Sequence, residues 1–284
     1  MSNKKYAVFT MDVEAFTDTE CVSNSAVEVN EDLLDGFDEY MRILERHGIK
    51  STLFTVGELA PKIADRLKKY IACGHRLALH SFKHIAPMDM SVSAFREEIH
   101  HAKATLKSLF DTDVVGFRAP CFSLDRERLE VLRSLGFKYD SSNLCFSKAR
   151  HTVDLDLTDF KALGDGIFHK KGFFEFGLSV QNVLGMPYPI SGGGYVRLSN
   201  WEFVKSLILQ YIKRHDYYVF YLHPFELTRQ KIPFLKDLKS YDKYYIRVGI
   251  KSYPKKIEQI ILMLKKCGYE FVTFEELAKI KEVN

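Results

Sequence analysis

Five short clusters in this chain carry residue types that could do chemistry together. Asp12-Val-Glu14 ends a β-rich run from Tyr6 to Asp12, and a strand of period two turns both carboxylates to one side. One of them could bind a metal while the other takes a proton. His80-Ser-Phe-Lys-His84 sets two imidazoles four residues apart. On a helical turn that spacing puts both on one face, where they could share the metal. Arg118 lies in Gly116-Phe-Arg-Ala-Pro-Cys-Phe122, Asp140 follows the next strand-like run, and Tyr221-Leu-His223-Pro comes near the end. A lone His-x-x-x-His or Asp-x-Glu means little. All five clusters, however, fall at the C-terminal ends of predicted strands, the rim on which α/β barrels build their active sites. His100-His101 lie in mid-helix among Glu97, Glu98 and Lys103 and read as a solvated face.

The elements that must position these clusters alternate. Lys50–Val56, Arg76–His80 and Val114–Arg118 read as strands; Glu58–Cys73 and Arg126–Leu135 read as helices, stopped by Gly74 and Gly136. Leu33, Phe37, Tyr40, Met41 and Leu44 share one helical face that stops at Gly48, and Ser91 or Ser93 opens a helix with Phe95, Ile99, Ala102 and Leu106 in register. This βαβα order implies a parallel sheet or barrel. From Asp140 to Asn200 the rhythm breaks into Gly-rich and aromatic pieces, expected as a hairpin or loop insertion around 141–199. It resumes with the helix Trp201–Arg214, the strand Tyr217–Leu222, the helix Lys255–Lys266 and a capping box at Thr273-x-x-Glu276. The expectation is one α/β domain over 1–284, barrel-like, because neither G-x-G-x-x-G nor a Walker A sequence is present and Ser191-Gly-Gly-Gly194 precedes Tyr195-Val-Arg, where no helix is expected.

Composition narrows the function classes. With 284 residues, 46% hydrophobic and 27% charged, the chain can bury a sizeable core. A net charge of +4 is too balanced for a partner that is mainly a nucleic-acid backbone. Residues 201–284 carry 16 Lys/Arg against 10 Asp/Glu, which suits a solvated helical face or affinity for an anionic sugar carrier or membrane surface. Five widely spaced cysteines without a C-x-x-C pair argue against a disulfide framework and against a cysteine zinc site. Neither a signal-peptide core nor a run of apolar residues long enough for a membrane span is found. The expectation is a cytoplasmic protein of unassigned oligomeric state.

In order and spacing, Thr10-Met-Asp12-Val-Glu14, His80-Ser-Phe-Lys-His84, Arg118-Ala-Pro-Cys-Phe122, Tyr139-Asp140-Ser-Ser and Leu222-His223-Pro224 resemble the five motifs of the polysaccharide deacetylases of carbohydrate esterase family 4. The Asp-Val-Glu form, with Pro189-Ile-Ser-Gly-Gly-Gly-Tyr195 and His223-Pro-Phe-Glu226, is similar to a subgroup associated with exopolysaccharide and surface-glycan synthesis. The resemblance implies a distorted (β/α)7 barrel. It also implies one divalent metal, usually zinc with cobalt or nickel as alternatives, on Glu14, His80 and His84. Asp12 would be the general base toward the attacking water, with Arg118 fixing and polarising it. His223 would protonate the departing amine, and Asp140 would keep His223 charged. An oxyanion donor is expected at a backbone N–H near Phe122.

Three departures from the family pattern stand out. Val13 separates two carboxylates that are usually adjacent aspartates, leaving either Asp12 or Glu14 as metal ligand. Phe122 stands where tyrosine is usual, and the tryptophan expected after Asp140 is missing, so Phe146 and Leu222 become candidates for lining the acetyl pocket or for the core. The substrate implied is an acetylated amino sugar in a polysaccharide, a lipid-linked precursor with peripheral membrane contact, or a nucleotide sugar. The alternatives are hydrolysis of another linear or cyclic amide, and glycan binding without catalysis.

Overall fold

A computed structural model describes residues 4–23, 33–144, 155–233, 235–236 and 238–283. Parallel strands β1 (Lys5–Val13), β2 (Ser51–Thr55), β3 (Arg76–Leu79), β4 (Gly116–Phe117) and β5 (Tyr139–Asp140) line up in chain order, with helices between them. Next come β6 (Lys161–Gly164), β7 (Ile167–Lys170) and β8 (Phe173–Phe176), a separate hairpin of β9 (Val180–Val183) and β10 (Met186–Pro189), then β11 (Tyr217–Phe220) and β12 (Tyr269–Phe271). The main sheet runs β11-β1-β2-β3-β4-β5-β8-β7-β6, with β12 on β1 below β2. The result is a single α/β domain with the sheet of a distorted (β/α)7 barrel. The stretch expected as an insertion contributes more than a hairpin: β8 pairs in parallel with β5 and carries β7 and β6 antiparallel beyond it.

Strand periodicity sorts the side chains. On β1, Ala7, Phe9, Met11 and Val13 pack in the large cluster against the helices, while Tyr6 and Val8 belong to an inner cluster with Phe54, Ala78, Tyr139, Phe174, Phe176 and Val219. The same parity carries Thr10 and Asp12 onto the inner face above Val8. On β11 it carries Tyr217, Val219 and Tyr221 inward, and His223 after them. The barrel is therefore apolar at the bottom and polar at the strand C-termini.

Most helix boundaries follow the capping chemistry. Ser91 accepts the Ala94 amide at 3.2 Å, so Ser91 rather than Ser93 opens the helix Val92–Phe110. Thr273 and Glu276 form the expected box, Thr273 N donating to Glu276 Oε2 at 2.8 Å and Glu276 N to Thr273 Oγ1 at 3.3 Å. The helix expected over Glu58–Cys73 is divided into a 3-10 turn, Ala60–Ile63, and an α-helix, Ala64–Ala72, because Pro61 lacks the amide hydrogen that an unbroken helix needs. Among the described residues no helix is long and apolar enough to cross a membrane, and Cys73, Cys121 and Cys267 are free thiols.

Candidate active site

Three polar groups converge just beyond β1 and β3. Glu14 Oε2 lies 2.7 Å from His84 Nε2 and 3.7 Å from His80 Nε2. One donor atom from each residue falls within 4.8 Å of the other two. His80 and His84 do not sit on a helical turn. They bracket a tight loop in which Ser81 and His84 have φ of 64° and 57°, and left-handed residues fold His84 back beside His80. Glu98, placed on the solvated face by sequence, makes this possible. Its Oε1 accepts Ser81 Oγ at 2.9 Å and the amides of Phe82 and Lys83 at 3.1 and 3.0 Å.

The donor set fits a divalent ion. His80 Nδ1 is 2.8 Å from the Arg118 carbonyl, an acceptor that keeps the ring proton on Nδ1 and leaves the Nε2 lone pair facing Glu14. One carboxylate and two imidazoles would be three protein ligands, which would leave coordination positions for a substrate. Burial pushes the Glu14 carboxyl up, but the charges of His84 and His223 and the hydrogen bond from His84 outweigh it and hold the group well below the usual range. Burial lowers His84, while Glu14 beside it and Asp18 raise it further than burial takes away.

Asp12 faces a different set of partners. Arg118, fully buried, donates from Nη1 to Asp12 Oδ1 at 2.7 Å and to Thr10 Oγ1 at 2.9 Å. Its Nε and Nη2 donate to the carbonyl and hydroxyl of Ser141 at 3.0 and 3.1 Å, and the Phe54 ring packs 4.2 Å from the guanidinium carbon. His223 Nε2 approaches Asp12 Oδ2 at 3.9 Å from the other side. Between the two carboxylates left open by sequence, the geometry places Glu14 with the imidazoles and Asp12 with arginine and the last histidine.

The role expected for Asp140 does not match its position. Tyr139 points into the inner cluster, so the next residue turns to the opposite face and Ser141 returns inward to Arg118. Asp140 instead accepts the Ser142 amide and hydroxyl at 2.8 and 2.9 Å and adjoins Glu175, its register partner on β8. Burial and the Asp140 charge push Glu175 well up, so the pair holds one proton. His223 Nδ1 faces Glu226 Oε2 at 3.3 Å, and its backbone amide donates to the same oxygen at 3.1 Å. Burial lowers His223, but Glu14, Glu226 and Asp12 together push it up to about 9.

The Phe122 amide donates to Ala119 O at 2.9 Å and is engaged within its own turn. Leu222 belongs to the outer cluster rather than a pocket wall, and Phe146 lies outside the described residues. Glu226 could have been found in His223-Pro-Phe-Glu, where a carboxylate three residues after the histidine reaches back across a turn. For Glu98 the sequence offers no comparable signal.

Residues 30–139 match the polysaccharide deacetylase family, and residues 163–279 match a domain of unknown function, DUF3473. A peptidoglycan deacetylase of Helicobacter pylori is 22% identical over 107 residues, covering 38% of this chain and 36% of that protein. A peptidoglycan deacetylase-like protein of Gibberella zeae is 28% identical over 109 residues, 38% of this chain and 32% of that one. The matches thus span about a third of either relative's length. Among solved structures, the Xyl-CE4 domain of a multidomain xylanase from the hindgut metagenome of Trinervitermes trinervoides superposes with a TM-score of 0.54 at 18% identity, over 99% of this chain and 93% of that one. A family 4 acetyl xylan esterase from Clostridium thermocellum, in complex with a cobalt ion, does so at 0.53 and 15%, over 98% and 92%. These likenesses establish the fold. The family match shows a polysaccharide deacetylase domain over residues 30–139 of the chain.

Proposed function

We propose that this chain is a metal-dependent N-deacetylase that hydrolyses an acetamido group on a sugar of a surface polysaccharide, its lipid-linked precursor or a nucleotide sugar. The observation that carries the proposal is the position of Asp12, held by Arg118 on one side and reached by His223 on the other, next to the Glu14–His80–His84 donor cluster. Base, acid and candidate metal ligands stand on one polar rim.

An amide carbonyl is a poor electrophile and an amine a poor leaving group, so the reaction needs electrophilic activation, a base and an acid. Glu14, His80 and His84 would hold the ion, with zinc proposed, which supplies Lewis acidity toward carbonyl and water. Asp12 accepts a proton from the attacking water, whose oxygen adds to the acetyl carbon. Arg118 holds the Asp12 carboxylate in place through Nη1, and Ser141 and Phe54 hold Arg118. His223 then donates its proton to the nitrogen as the C–N bond breaks, leaving acetate and a free amino sugar. A cytoplasmic site of action, with peripheral contact where the substrate is lipid-linked, belongs to the same proposal.

The test is metal content and acetate release from acetylated amino sugars, measured on the same preparations. His80→Ala should lose both. Asp12→Asn should keep about one metal per chain and lose turnover by ~100-fold or more. A wild-type protein that holds no metal after reconstitution, or an Asp12→Asn variant with full turnover, would overturn the reading.

A further inference from the structure

Behind His223 stand two residues that none of the five motifs includes. Glu226 is fully buried; one of its oxygens takes the His223 amide and faces Nδ1, and the other accepts Arg197 Nε at 2.8 Å. A carboxylate can only accept, so Nδ1 carries the proton and Nε2 points to Asp12 and the reacting side. Arg197 is also buried. Its guanidinium carbon lies 5.6 and 5.2 Å from the ring centroids of Phe225 and Tyr245, and Nη1 donates to the Val248 carbonyl.

The local chain is built to put Arg197 there. A side chain at Gly192, where φ is 112°, would meet the Tyr221 carbonyl at 2.2 Å. With no side chain the backbone passes close enough for Gly193 N to donate to that carbonyl at 2.8 Å. Contrary to the sequence expectation, a short helix, Gly193–Leu198, follows the Gly run and starts from this contact. Lys256 Nζ fixes its far end by donating to the carbonyls of Val196, Arg197 and Ser199 at 2.9–3.0 Å.

We propose that Glu226 and Arg197 are the positioning pair of His223, filling the place that the motif pattern gives to Asp140. The inference rests on the reading of His223 as the acid. It also gives the segment of unknown function, residues 163–279, a definite part: it supplies the histidine, the carboxylate that orients it and the arginine that locks the carboxylate.

Glu226→Gln keeps the shape and removes the charge; kcat should fall about 10- to 100-fold with KM within about two-fold. Removing one charge can unfold a buried pair, so Arg197→Met with Glu226→Leu replaces both by apolar groups, which often preserves stability. That double variant should melt near the wild type yet stay catalytically impaired, whereas a merely structural pair would regain turnover along with stability. The independent readout is the Nδ1–H resonance of His223 in 15N-histidine-labelled protein, assigned by its loss in His223→Gln. It should vanish in the double variant and persist in Asp140→Asn. Wild-type kcat in the double variant, or loss of the resonance in Asp140→Asn with retention in the double variant, would overturn the proposal. A wild-type protein inert toward acetylated sugars would remove the deacetylase reading, and the resonance would still decide the pair.

Discussion

Replacing Arg118 by methionine isolates what this arginine contributes to the rim. Its side chain is 0% exposed, and its partner Asp12 is 2% exposed. Methionine fills part of the volume over Phe54 but leaves the Asp12 carboxylate without its arginine. Breaking a buried pair from one side costs about 3–5 kcal/mol. His223 Nε2 at 3.9 Å is the one other cationic side chain within ion-pair reach of Asp12 among the described residues, and its partial compensation favours the lower end, ~3 kcal/mol. A chain of 284 residues unfolds with an entropy near ~0.6 kcal/mol/K, taking ~2.1 cal/mol/K per residue. The expected fall in melting temperature is therefore ~5 °C. Calorimetry at neutral pH measures it. Adding Asp12→Leu to Arg118→Met removes the orphaned charge and should recover most of the loss without recovering turnover. A single variant that melts within about 1 °C of wild type, or a double variant less stable than the single, would refute the reasoning.

Two further predictions concern pH. His75 Nδ1 accepts the Ser51 amide at 3.1 Å, and burial, aided by the charge of Lys50, pushes its pKa down to about 4. Between pH ~6.5 and that value the unfolded imidazole binds a proton that the folded one refuses, so stability falls as pH drops through this window. His75→Gln should flatten the fall in urea midpoints measured from pH 7 to 4.5, and parallel curves would contradict it. Glu175 is the opposite case, a carboxyl raised by burial and by Asp140. Above the ordinary carboxylate pKa the unfolded chain has released a proton that the folded one keeps, so stability declines as pH rises toward the raised value. Glu175→Gln mimics the protonated acid and should melt no lower than wild type at pH 8; a loss of more than about 3 °C would show that the pair is ionised.

The legible part of the site is the part fixed by strand parity. Asp12 is read onto the rim because Tyr6, Val8, Thr10 and Asp12 alternate with Ala7, Phe9 and Met11, and a strand cannot turn one set inward without turning the other outward. The same rule, applied to Tyr139, Asp140 and Ser141, would have moved Asp140 away from His223. A motif pattern registers which residues occur, whereas parity decides where they point. The His80–His84 loop escapes both kinds of reading: its geometry depends on left-handed φ at Ser81 and His84, and on Glu98 arriving from a helix that begins after the loop has ended. Arg197 and Glu226 lie 29 residues apart in sequence yet share a hydrogen bond. Their meeting requires the close backbone approach at Gly192, which the Gly-Gly-Gly run allows without disclosing what it approaches. Local chemistry was therefore readable where one element carries it. It was hidden where two elements complete a single group, and the carboxylate that serves His223 is such a case.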